Sequence, residues 1–211
     1  MSKDPFQADP LDEPNPFGGA DDEPAATAEE AAQHFVRVWA EAVIRQATRT
    51  RAIRRKSAVD DRNFERNEGW SPTEDDLYDN DRVRWAEEHT LVWSAHQLER
   101  WRARLAKERG QAALPKNQDL EEVRNVLEHL DEVDLQDWTA TPPAGQKRIG
   151  RSLRNLPDQM LSLGGFDGRT LFQVLDSERI ADAALEVVKS VEAELAERER
   201  DMVEAYLELR D

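Results

Sequence analysis

From Thr27 onward, apolar and polar positions alternate with the period of an α-helix over most of the chain. Thr27 with Glu30 three residues later is a capping box. It opens a first helix, roughly 27–57, whose core-facing stripe is Phe35, Trp39, Ala42, Val43 and Ile53. Residues 58–79 are polar and contain Ser71-Pro72-Thr73-Glu74, a second capping box with Pro at the first helical position. A short helix is expected there. A second long helix follows, roughly 80–109, and Gly110 stops it. This helix is apolar on two sides. One stripe is Leu91, Ala95, Leu98, Trp101 and Leu105; the other is Trp85, His89, Val92, Trp93 and His96. Such a helix is central in a bundle or covers an interface.

Pro115 marks a linker, and Asn117 caps a third helix over 118–131. Residues 133–157 are irregular. The apolar runs 159–163 and 170–174 flank Gly164-Gly165-Phe166-Asp167-Gly168, the pattern of a β-hairpin with a glycine-rich turn. Asp176 or Ser177 caps a last helix, 177–210. Its stripe is Ile180, Ala184, Val187, Val191, Leu195, Met202 and Leu209, interrupted by Arg198. The fold class predicted is mainly all-α: a bundle of about four main helices over 27–211, with a small β-hairpin at about 159–174 before the last helix. Residues 1–26, rich in Asp, Glu, Pro and Gly, cannot bury enough surface to offset ordering entropy and read as a disordered acidic tail.

Composition narrows the function classes. The net charge of −16 is concentrated at the front, where nine acids in the first 30 residues face only Lys3. Such a chain is repelled overall by nucleic acid, so nucleic-acid contact needs local basic patches. Two exist: Arg49, Arg51, Arg54 and Arg55, followed by Lys56; and Lys147, Arg148, Arg151 and Arg154. Cys is absent. This excludes disulfides, thiolate metal sites and cysteine nucleophiles, and fits a cytoplasmic protein. No apolar run approaches the roughly 18 residues of a membrane span, and no membrane partner is expected. The sequence contains no glycine-rich phosphate loop, dinucleotide fingerprint or nucleophile elbow, and no His in a metal-binding pair motif. No cofactor or metal is expected.

The chemistry that remains lies in the third helix. On a wheel of 100° per residue, Leu120, Val123, Val126, Leu127 and Leu130 share one arc. Arg124, Asn125, Glu128, His129 and Glu132 share the opposite one. Spacing alone does not single this out, because Arg84 and His89 repeat it. The distinguishing features are Asn125 directly after Arg124, the amphipathic base, and the Leu130-Asp131-Glu132 that follows. Arg is a permanent cation that forks onto phosphate, and His titrates near neutrality. Glu128 either raises the pKa of His129 or pairs with Arg124.

Arg124-Asn125-x-x-x-His129 resembles the Arg-x4–6-His motif of HEPN domains, in which Asn commonly follows the Arg. The resemblance implies a helical bundle, often a homodimer. It also implies a metal-independent ribonuclease of toxin–antitoxin or antiviral systems, with RNA and a cognate antitoxin or regulatory protein as partners. His129 would then be the acid or base, Arg124 the phosphate clamp and Asn125 an orienting hydrogen bonder. The product would carry a 2′,3′-cyclic phosphate. Two alternatives stand beside it: a non-catalytic helical dimerisation or interaction module, and an acidic regulatory or nucleic-acid-mimic protein acting through its tail.

Overall fold

A computed structural model of the chain describes residues 26–145, 150–164 and 170–209. The acidic tail 1–25 and the glycine-rich segment 165–169 lie outside the described residues.

Two long helices form the frame. Helix α1 (Ala28–Phe64) opens at the Thr27–Glu30 capping box, with both reciprocal hydrogen bonds made. Helix α2 (Glu74–Glu108) runs antiparallel to it, so that Lys56 meets Asn80 at one end and Glu29 meets Arg109 at the other. The short helix and second helix expected from the sequence are one continuous element. The cap is Thr73 with Asp76, not Ser71 with Glu74. Ser71 is used otherwise: its hydroxyl accepts from Glu68 N and donates to Asn63 O, closing the α1–α2 turn. Helix α3 (Gln118–Glu128) is capped by the Asn117 side chain and packs on α2. It stops three residues before the expected end, and Leu130–Glu132 is a 3-10 turn.

The strands are short and differ from the sequence expectation. Strands β1 (Asp134–Gln136), β2 (Thr139–Thr141) and β3 (Leu161–Ser162) form one antiparallel sheet in that order. The short helix α4 (Arg151–Asn155) lies between β2 and β3. Strands β4 (Thr170–Leu171) and β5 (Leu175–Asp176) pair with each other. A small hairpin does precede the last helix, but it spans 170–176, and the 159–163 run pairs with β2 instead. The physical reason is visible at Gly164. Leu163 N donates to Trp138 O at 2.7 Å, and a Cβ on Gly164 would lie 2.8 Å from Trp138 Cβ. This glycine lets β3 pass beneath Trp138. The β4–β5 turn instead uses Phe172 and Gln173 in the left-handed region (φ 52° and 60°), with the Phe172 ring buried beneath it.

Helix α5 (Ser177–Glu208) is capped by Asp176 and runs antiparallel along α1. One hydrophobic cluster joins the helices and all strands but β1, whose residues are exposed. It includes Val36 and Val43 of α1, Leu91 of α2, Val123 of α3, Leu153 of α4 and Ala184 of α5. Helix α2 packs against α1, α3 and α5, the central position its two stripes predicted. No described helix is long and apolar enough to cross a membrane.

The core face of α1 is polar toward its C-terminal half, where Gln46, Thr50, Arg54 and Ser57 are all buried. Phe35, expected in the core, is instead partly exposed and stacks on Trp101 at 4.4 Å. Helix α2 matches Gln46 and Arg54 of this face, while the Thr50 and Ser57 hydroxyls are buried without a hydrogen-bond partner among the described residues. Arg54 Nε donates to Glu88 Oε1 at 2.8 Å, and Arg54 Nη2 donates to Thr170 O at 2.7 Å. One guanidinium thus ties both long helices to the β4–β5 hairpin.

Candidate functional site

The Arg–Asn–His motif does not share one helical face. Helix α3 ends at Glu128 and His129 is its C-cap, with φ −114°. The chain departs from the helix there, and the two side chains meet different surroundings. Arg124 is tucked toward α2, its side chain 21% exposed, whereas that of His129 is 63% exposed.

Arg124 is held from three directions. Its guanidinium lies over the Trp93 ring, 5.3 Å from the centroid, a cation–π geometry. Nη1 donates to Asn125 Oδ1 at 3.0 Å, and Nη2 pairs with Glu128 one turn on. The Glu128 carboxylate therefore serves Arg124, which decides between the two roles the sequence left open for it. Arg124 Nε is buried with no hydrogen-bond partner, and so is His96 Nδ1 of α2. Both belong to the α2–α3 seam.

His89 and His96 are both held below the usual imidazole range. For His96 burial is the larger cause, followed by the Arg124 and Arg100 guanidiniums, with Glu121 and Glu128 opposing. For His89 burial is opposed by Glu128. Both are therefore neutral in the folded protein at neutral pH. A depressed pKa means that the unfolded chain binds protons the folded chain refuses. Stability contributed this way is fully present above pH 6.5, the unperturbed value, and declines as the pH falls below it. Urea denaturation between pH 7.5 and 5.5 is expected to show falling stability, and His96→Gln is expected to flatten that slope.

His129 sits at the open end of α3. Its Nδ1 lies 3.1 Å from Glu132 Oε1. With the proton on Nδ1 this is a donor to the carboxylate, and Nε2 is left as an exposed lone pair. That tautomer is the one a general base needs, and the carboxylate fixes it. Asn125 also lines a groove between α3 and α4, whose charged residues are Lys116, Arg151, Glu121 and Glu122. One member of the second basic cluster therefore lies beside the motif.

The other basic residues distribute as follows. Arg54 is in the core, paired with Glu88, and is not available to a phosphate. Arg49, Arg51 and Arg55 are exposed on α1, and Lys56 is engaged by Asp60 and Asn80. Arg151 is exposed and Arg154 half-buried; Lys147 and Arg148 lie outside the described residues. The first basic cluster is thus divided by the core face of α1, because Arg54 lies on that face. Among the described residues, no three His, Asp or Glu side chains are grouped to hold a metal ion.

Three site residues escaped the sequence reading. Trp93 and His96 stood in the second stripe of α2, and their spacing to α3 is set only by packing. Glu132 had a signal: it follows His129 by three residues, the reach of one 3-10 turn. Comparison with protein-family models, with curated proteins and with solved structures returned no significant match to this chain.

Proposed function

We propose that the chain is a HEPN-like helical protein acting as a metal-independent endoribonuclease, of the kind found in toxin–antitoxin or antiviral defence. The observation that carries this reading is the His129–Glu132 contact at the end of the helix that bears Arg124. In the reaction, His129 Nε2 takes the proton of a ribose 2′-OH, and the 2′ oxygen attacks the adjacent phosphorus. The P–O5′ bond breaks, leaving a 2′,3′-cyclic phosphate, and the departing 5′ oxygen takes a proton from water to become the 5′-hydroxyl. Arg124 neutralises charge on the non-bridging oxygens, where a fixed cation stabilises the phosphorane most. Trp93 presses on one face of that guanidinium, which limits its freedom before substrate arrives. Asn125 holds Nη1, and Arg151 stands beside it in the α3–α4 groove as the cation that can meet the flanking backbone, while Lys116 is paired with Glu121. RNA and a regulatory or antitoxin protein are the partners this reading calls for.

A second reading, a non-catalytic interaction module, is favoured by one observation: Arg124 is already paired with Glu128. The two readings make opposite statements about Glu128→Gln. If RNA phosphate must displace Glu128, the variant binds a short non-cleavable RNA about 10-fold more tightly, since charged hydrogen bonds are worth about 1.5 kcal/mol or more. Fluorescence anisotropy with a 2′-O-methyl oligonucleotide measures this. Equal affinity for wild type and Glu128→Gln, together with no RNA cleavage in the presence of chelator, would leave only the interaction module.

A further inference from the structure

Strand β1 is an edge of its sheet: β2 separates it from β3. All three of its residues are exposed. Leu135 lies opposite Ala140, which lies opposite Leu161, so the three share one face. Ala140 and Leu161 are fully buried on that face, whereas Leu135 is 57% accessible. The register also fixes where the backbone groups point. Leu163 N donates to Trp138 O, so Trp138 and Ala140 turn their polar groups toward β3, and Thr139 and Thr141 turn theirs toward β1. Gln136 and Asp134 answer them, which leaves the Leu135 N–H and C=O pointing outward. Asp137 and Trp138 form the two-residue turn, with φ 48° and 56°. Such a turn favours glycine at its second position, and a bulky residue there is strained. Trp138 is 77% accessible, so burial does not offset that strain. The edge is also acidic. Asp131, Glu132, Asp134 and Asp137 are exposed, and no Lys or Arg occurs from 125 to 146. Glu132 meets His129, and the other three carboxylates have no ion pair among the described residues.

We propose that β1 is the docking edge for an extended basic segment of a partner protein, which adds to the sheet as a fourth strand. The free Leu135 N–H and C=O bond its main chain. Its side chains alternate, so an apolar one covers Leu135 while the neighbouring positions, Lys or Arg, face Asp134 and Asp137. The exposed Trp138 ring offers one of those cations a π face at the end of the strand. Charge complementarity selects this occupant. A second copy of this edge would set acids against acids. An RNA backbone would meet the same repulsion. The edge is short, so the complex is a transient one, with a dissociation constant on the order of 10 µM. The proposal does not rest on the ribonuclease reading and survives its failure.

The test is fluorescence anisotropy of short labelled peptides titrated with the full chain. Three probes alternate Val with Lys, with Thr or with Glu. A fourth keeps the Lys residues but replaces each Val by Pro, so it carries the same charge and cannot add as a strand. The Val-Lys peptide binds, and the other three bind at least about 10-fold more weakly. Leu135→Pro removes only an outward N–H, so it leaves the far-UV spectrum unchanged while weakening the Val-Lys peptide about 10-fold. Trp138→Gly raises the urea midpoint, because glycine relieves the turn, and also weakens the peptide. A Trp138 retained for the fold alone would lower the midpoint and leave binding unchanged. A Val-Lys peptide that fails to bind, or binds no better than the Pro peptide, overturns the proposal. So does binding indifferent to both variants. A labelled single-stranded RNA that binds the wild type and is lost in Trp138→Gly would overturn it too, making the edge a nucleic-acid surface.

Discussion

Replacing His129 with Ala is expected to reduce RNA cleavage by about 10²–10⁴-fold, the usual worth of a positioned general base. Its fold should be unaffected, because the side chain is exposed and, among the described residues, its polar partner is the equally exposed Glu132. Glu132→Gln is expected to fall between wild type and His129→Ala, since the amide oxygen can still accept from Nδ1 but with a weaker, uncharged hydrogen bond. Single-turnover cleavage of one labelled RNA at a fixed pH ranks the three proteins.

The second large effect concerns the fold. Glu88→Ala leaves the Arg54 guanidinium without its carboxylate in a site where both side chains are about 10% exposed. Breaking one half of a buried pair is strongly destabilising, about 3–5 kcal/mol. The urea midpoint should fall accordingly. The same guanidinium holds Thr170 O, so the β4–β5 hairpin is expected to lose amide protection along with the α1–α2 contact. Replacing both partners, Arg54→Met with Glu88→Leu, should recover most of the loss, because the cost lies in the unpaired charge rather than in the missing bridge.

The helices were readable from periodicity and caps. Thr27 with Glu30, Asn117, and Asp176 each begin a helix as their side chains require. What escaped was wherever packing overrides the local pattern. The core face of α1 turns polar at Gln46 and Arg54 because α2 supplies Glu87 and Glu88 opposite them. No apolar stripe can announce such a face, and Arg54 was accordingly assigned to a surface patch. Gly164 promised a turn, while its actual use is to let Trp138 approach. The polar run 58–79 hides the start of the continuous α2: Asp75, Asp76, Asp79 and Asp81 are the solvated first turns of a helix whose N-terminus favours acids, and Asn80 between them is buried against Lys56 and Asp60 of α1.

The candidate site was half legible. Arg124, Asn125 and His129 could be named, because Arg and His carry recognisable phosphate and proton chemistry. Their arrangement could not, because the wheel assumed a helix continuing through residue 131. In the fold the C-cap at His129 turns its ring toward Glu132, and Arg124 turns toward Trp93. The seam with His96 is set by how α3 lies on α2, a tertiary fact with no sequence spacing behind it.

The most direct test of the central claim is the chemistry of the RNA ends produced by purified protein in excess chelator. The account predicts 2′,3′-cyclic phosphate and 5′-hydroxyl ends from the wild type, detected by mass spectrometry, and their loss in both Arg124→Ala and His129→Ala. Intact RNA with wild type and variants alike, or 5′-phosphate ends that persist in His129→Ala, would contradict it.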